Sequence, residues 1–192
     1  MAQQGPNPIE IYEQALAQYR PILAAIKAEQ HKSSTPCTDW TVEALINHSL
    51  ATQRFAQAVL SKSGADPSVM ADVNHPLPAE GAIAALNSIS SEVLSTLKSL
   101  NMEEIVETPF GAMPGGQFIM VPITDMIVHT WDVAKATGQN TTLASGLAEV
   151  AFNVLTVVAA NGRERGAFGP EVTVPATASF QDRMLGLSGR QP

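Results

Sequence analysis

Apolar residues recur along most of this chain at alternating three- and four-residue steps, the period of one face of an α-helix. Ile9, Tyr12, Leu16, Tyr19, Leu23 and Ile26 form the first such seam, with Pro21 as a candidate kink. Asp39 offers an N-cap oxygen ahead of Trp40-Thr41-Val42-Glu43, and apolar or small residues continue to Leu60 as a second helix. The stretch from Pro67 to Pro78 reads as a loop. Ile83, Leu86, Ile89, Val93, Leu97 and Leu100 then mark a third helix with a serine-rich polar face.

Thr108 to Gln117 holds three glycines and two prolines and reads as a loop, because so many breakers cannot sit inside one helix. Beyond it, Pro122 suits the first turn of a helix and Gly138 suits its C-terminal stop. A further helix is expected from about Leu143 to Ala160, with Leu147, Val150, Val154 and Val157 buried and Asn161-Gly162 as its cap. From Phe168 the tail reads as extended, then briefly helical over Gln181 to Leu187. Neither a strand of convincing length nor an internal repeat is visible. Four main helices with a long crossover predict an all-α four-helix bundle, a fold that builds ligand sites from inward-facing side chains.

Composition narrows the function. With 192 residues and 45% hydrophobic content the chain is expected to fold as one domain, 1–192, with a sizeable core. A net charge of −7 without any basic run argues against nucleic acid or an anionic membrane as partner. Met1 to Pro6 lacks a leader pattern and no apolar run looks long enough to span a bilayer, so a cytoplasmic location is expected. Cys37 is the single cysteine, which excludes an internal disulfide and a Cys-rich zinc site.

The helix after Pro122 carries the most informative pattern. At ~100° per residue, Asp125, His129 and Asp132 share one narrow stripe, which a purely structural helix has little reason to build. On the second helix His48 interrupts a stripe of Thr41, Ala44, Leu45, Ala51, Thr52, Phe55 and Val59. A lone histidine there is most simply a hydrogen-bonded core residue. Together with Asp125 and His129, it makes the two-imidazole, one-carboxylate set that binds a divalent metal with a position left open. Zinc is the first expectation, with iron or nickel as alternatives. Asp132 is placed either to accept the spare N–H of a liganding imidazole or to face solvent. Cys37 lies ahead of a helix N-terminus, where a thiolate would be favoured, and reads otherwise as a small buried hydrophobe. His31 and His75 read as surface residues, and Arg163-Glu164-Arg165 as a solvated charge cluster.

These residues also carry a resemblance. Pro36-Cys37-Thr38-Asp39-Trp40-Thr41-Val42, Asn47-His48, and Asp125 to Gly138 with His129-Thr130-Trp131-Asp132 resemble the DinB/YfiT-like superfamily. More narrowly, the chain resembles single-domain relatives of the mycothiol-dependent maleylpyruvate isomerase N-terminal domain. Phe168-Gly169-Pro170, Val172, Val174-Pro175, Asp182-Arg183, Leu185 and Gly189-Arg190 extend the likeness to the C-terminus. The resemblance implies a DinB-like bundle, with zinc or nickel held by His48, Asp125 and His129. It also implies a low-molecular-weight thiol cosubstrate, such as mycothiol or bacillithiol, transferred or added to a small electrophile. The chain departs from the isomerase in having Asp125 where that enzyme has Glu, and in lacking its second domain. Maleylpyruvate isomerisation itself is therefore not carried over, and the competing class is a non-catalytic metal- or ligand-binding stress-response protein. A homodimer is a further expectation from relatives.

Overall fold

A computed structural model describes residues 7–192, so the leader reading of Met1 to Pro6 lies outside the described residues. Helix α1 (Pro8–Ala24) starts on an Asn7 cap that accepts from the Ile9 N–H, and it keeps Pro21 inside its last turn. It buries Tyr12, Leu16, Tyr19 and Leu23, the seam the spacing predicts. Helix α2 (Val42–Leu60) begins later than expected. Thr41 is its cap, accepting from the Ala44 N–H, while Asp39 sits in the left-handed region at φ 68 inside the turn that leads to it.

Helix α3 (Ala82–Ser99) follows a loop that contains one short 3-10 turn, Pro67–Met70. The breaker-rich stretch is not a plain loop. It forms an antiparallel hairpin, β1 (Ile105–Thr108) and β2 (Gly111–Pro114), pairing Val106 with Met113 and closing on Gly111 at φ 102. A hairpin this short leaves no period-2 run to read. A single turn, α4 (Gly115–Phe118), then leads into α5 (Met120–Thr137), which ends on left-handed Gly138 as predicted.

Helix α6 (Ser145–Glu164) runs past Asn161-Gly162, buries Leu147 as expected, and is rotated so that the expected Val150, Val154 and Val157 lie at or beyond the edge of its inward face. It buries Leu147, Ala148, Ala151, Leu155 and Ala159, whereas Val157 is 79% exposed. Two apolar stripes overlap on this helix, and packing selects the small-residue one because it allows closer approach to α5. At 20 residues with a mean hydropathy of 1.2, α6 passes by length and composition for a membrane-spanning helix. Its buried stripe against α5 and α7 gives it the place of a bundle helix.

Helices α1 and α2 each pack on both α3 and α5, so they stand diagonally across a four-helix bundle; α6 leans on α5, and α7 (Phe180–Leu187) covers α6. The predicted all-α bundle is thus the observed architecture. Its core runs from Tyr12 and Leu16 through Leu45, Ile46 and Leu86 to Phe118, Ile123 and Met126. Of the Arg163-Glu164-Arg165 cluster, Glu164 and Arg165 are solvated as expected, but both arginines also make fixed contacts. Arg163 donates to the Leu187 carbonyl and pairs with Glu171, while Arg165 donates to the Pro109 carbonyl, tying the tail and the hairpin to α6.

Candidate metal centre

Facing positions on α2 and α5 bring His48, Asp125 and His129 together, with one ligand-type atom from each lying within 4.8 Å of the others. Asp125 and His129 are one helical turn apart, and His48 comes from the diagonal partner of α1. The side chains are largely sequestered, at 15%, 24% and 7% exposure for His48, Asp125 and His129.

Each imidazole is held through its Nδ1. His48 Nδ1 lies 2.9 Å from the Met70 carbonyl oxygen, and His129 Nδ1 lies 2.8 Å from Asp132 Oδ2. A carbonyl and an ionised carboxylate only accept, so both Nδ1 atoms carry the proton and both Nε2 atoms face inward. Those Nε2 atoms converge on the same oxygen, Asp125 Oδ1, at 3.4 Å and 3.3 Å. Among the described residues Asp125 Oδ2 is buried without a partner. Two lone-pair nitrogens and a carboxylate crowded in this way repel unless positive charge sits among them, either as a proton or as a cation. The donor set therefore fits a divalent metal, and the partner on the far side of each imidazole is the arrangement metal-ligating histidines use.

The electrostatics say the same. Burial pushes the Asp125 carboxyl up, but His129 and His48 outweigh it and hold it far below the usual carboxylate range. Burial lowers His129, and Asp125 with Asp132 more than reverse this, leaving the ring well above its ordinary value. The shift of His129 favours a proton on its ring, the charge that a cation between the ligands would replace.

Trp40 closes one side. Its ring centroid is 4.6 Å from that of His48 and 6.3 Å from that of His129. The left-handed Asp39 just before it turns the chain so that the indole lies over the imidazoles.

Asp132 does not face solvent. It is fully buried and receives His129 on one side and the Arg190 guanidinium on the other, through Nη2 at 2.8 Å and Nε at 3.2 Å. Burial raises the Asp132 carboxyl, and the His129 hydrogen bond and Arg190 bring it down, so it stays ionised. Cys37 packs at the edge of the core, as a small hydrophobe would, and also meets polar groups. It is half-buried, with Sγ 3.1 Å from Arg190 Nη2, 3.4 Å from Asp132 Oδ2 and 3.9 Å from His129 Nδ1. The guanidinium in this second group makes it unsuited to a cation. Arg190 is the site residue that sequence reasoning missed as such, and the only trace of it was the Gly189-Arg190 pair in the C-terminal likeness. His75 is exposed and His31 half-buried, and neither joins the cluster.

The helical bundle is consistent with a DinB-like fold, and it brings two histidines and one carboxylate together between two helices. The chain belongs to the family described as the mycothiol maleylpyruvate isomerase N-terminal domain, whose profile matches residues 12–134. Two uncharacterized proteins of Mycobacterium tuberculosis, from different strains, are each 29% identical to it over 145 residues, covering 74% of this chain and 74% of theirs. Crystal structures of the mycothiol-dependent maleylpyruvate isomerase and of a histidine-to-alanine mutant of it superpose with TM-scores of 0.58 and 0.59 at 16% identity. In both cases 90% of this chain and 76% of the other are covered. At that identity the likeness concerns the fold.

Proposed function

We propose that the chain is a single DinB-like domain in which His48, Asp125 and His129 hold a divalent metal, zinc first and nickel or iron as alternatives. Its activity would be a low-molecular-weight-thiol-dependent S-transfer or isomerisation on a small electrophile, with mycothiol the first candidate thiol. The observation that carries this reading is the convergence of two inward-facing Nε2 atoms on Asp125 Oδ1. A divalent cation there would lower the pKa of a coordinated thiol, so that the thiolate is present at neutral pH. The residues around it have separable tasks. Met70 and Asp132 fix the two rings, Trp40 walls off water on one side, and Asp132 is committed to Arg190 and His129 and so is not a fourth ligand. With three protein ligands, such a metal would keep a coordination position for an incoming molecule, the feature that separates catalytic from closed structural sites.

The second reading is a non-catalytic metal- or ligand-binding protein. It is favoured by a cavity of about 370 Å³ lined by Leu50, Arg54, Phe55 and Val69, whose lining includes none of the three ligands. Two measurements separate the readings. Metal content by mass spectrometry should give one divalent ion per purified chain, and loss of that ion when His48 and His129 are both alanine. Conjugation of monochlorobimane should then be assayed with mycothiol, bacillithiol and coenzyme A in turn. Metal-dependent turnover with one of them supports the transferase, while bound metal without turnover supports the binding protein.

A further inference from the structure

We propose that Arg190, on the C-terminal tail, is a positioning residue for the candidate metal centre: through Asp132 it sets the orientation of the His129 imidazole. The inference rests on the metal reading for its consequence, but not for its geometry.

The local sequence explains why an arginine 58 positions from Asp132 arrives there. Helix α7 ends in a Schellman motif: the Gly189 N–H bonds to the Gly186 carbonyl at 3.0 Å and the Arg190 N–H to the Leu185 carbonyl at 2.8 Å. Gly189 has φ 79, and a Cβ on it would lie 3.0 Å from the carbonyl oxygen of Gly169, so only glycine makes this turn without moving a backbone. The turn aims Arg190 inward, where it is 8% exposed.

Two of the guanidinium's three nitrogens point at the site, and the third ties it to its own turn. Nε and Nη2 grip both oxygens of Asp132, Nη2 also meets Cys37 Sγ, and Nη1 donates to the Ser188 carbonyl at 2.6 Å. Tethering a tail does not need a buried arginine, whose desolvation is costly unless its partners are well matched. A two-point grip on a carboxylate, by contrast, removes the rotational freedom of that carboxylate. Asp132 Oδ2 is the atom that accepts from His129 Nδ1. Holding it holds the ring, and a held ring keeps Nε2 on Asp125.

The test uses metal-free and zinc-loaded full-length protein. In metal-free wild type, NMR should show a His129 Nδ1–H proton protected from solvent exchange. In Arg190→Gln that protection should fall at least tenfold, with Arg190→Lys in between, while Met184→Ala, which loosens α7 without touching Asp132, keeps it. Zinc affinity, measured by competition with a chromophoric chelator, should fall about 10- to 100-fold in Arg190→Gln. In an Asp132→Asn background, Arg190→Gln should add little. Wild-type protection and wild-type zinc affinity in folded Arg190→Gln or Arg190→Lys would overturn the proposal. A wild type that binds no zinc, but whose His129 proton is lost in Arg190→Gln, would defeat the metal reading and leave the positioning role standing.

Discussion

His48 Nδ1 lies 2.9 Å from the Met70 carbonyl oxygen, so the short 3-10 turn over α2 determines which nitrogen of the ring faces Asp125. A metal entering a site held in this way binds the folded chain and not the unfolded one, and must therefore stabilise it. Zinc at a thousand times its dissociation constant should add about 4 kcal/mol, seen as a higher Tm that a chelator reverses. The His48→Ala, His129→Ala double variant should show no zinc-dependent shift. Equal melting of stripped and zinc-loaded wild type would remove the metal from the account.

Two buried tyrosines on α1 should respond to different degrees to loss of the hydroxyl. Tyr12 donates to Gln53 Oε1 at 2.9 Å, and Gln53 is itself buried, so Tyr12→Phe strands an acceptor and should cost about 1–3 kcal/mol. Among the described residues the Tyr19 hydroxyl makes no well-formed hydrogen bond and has only the Ser49 side chain beside it, so Tyr19→Phe should cost less than Tyr12→Phe, about 1 kcal/mol or less in urea titrations at pH 7.

Tyr19 also makes a pH prediction. Burial pushes its phenol up to about 12 from an ordinary value of 10. The folded state thus holds this proton more tightly than the unfolded state, and stability is lost as pH rises from about 10 through 12. Tyr19→Phe should flatten that loss, measured as the urea midpoint against pH. An unchanged alkaline slope would mean the phenol is not the group responsible.

Two glycines separate a packing requirement from a dispensable one. A Cβ on Gly186 would lie 2.5 Å from the Val172 carbonyl oxygen, whose residue also donates its N–H to the Gly186 carbonyl. Gly186→Ala should cost about 2 kcal/mol or more, by forcing the extended segment around Val172 off α7. Gly146, in the first turn of α6, has nothing within 4 Å of that position. Gly146→Ala should raise stability by about 0.5–1 kcal/mol through helix propensity alone. Thermal melts of both variants check the pair.

The left-handed Asp39 should tolerate glycine and reject a branched residue. Asp39→Gly is expected within about 0.5 kcal/mol of wild type, and Asp39→Val to lose about 1–2 kcal/mol and to disturb Trp40 fluorescence. Native melting and emission in Asp39→Val would show that the turn before Trp40 is not conformationally restricted.

How far each feature was legible follows from the range of the interaction behind it. The seam of α1, the bounds of α3 and the Gly138 stop rest on contacts within a few turns of one helix, and periodicity records those directly. The cap of α2 was misread because Asp39 and Thr41 are both competent caps, and only the turn geometry chooses between them. On α6, Val150, Val154 and Val157 form as good a stripe as the buried alanines, and the shape of α5 and α7 decides which one packs. The hairpin at Ile105 to Pro114 leaves only glycines and prolines, which say turn without saying what lies on either side.

The sequence by itself determined that an imidazole on α2 and a carboxylate and imidazole on α5 occupy inward faces, because helical spacing alone settles which residues share a side. The tertiary structure decided how those groups are aimed. Met70 fixes His48, Asp132 fixes His129, and Arg190, from the far end of the chain, fixes Asp132 and reaches Cys37. Contacts that join residues 58 or 153 positions apart leave no period in a sequence, since chain closure over such distances is set by the fold as a whole.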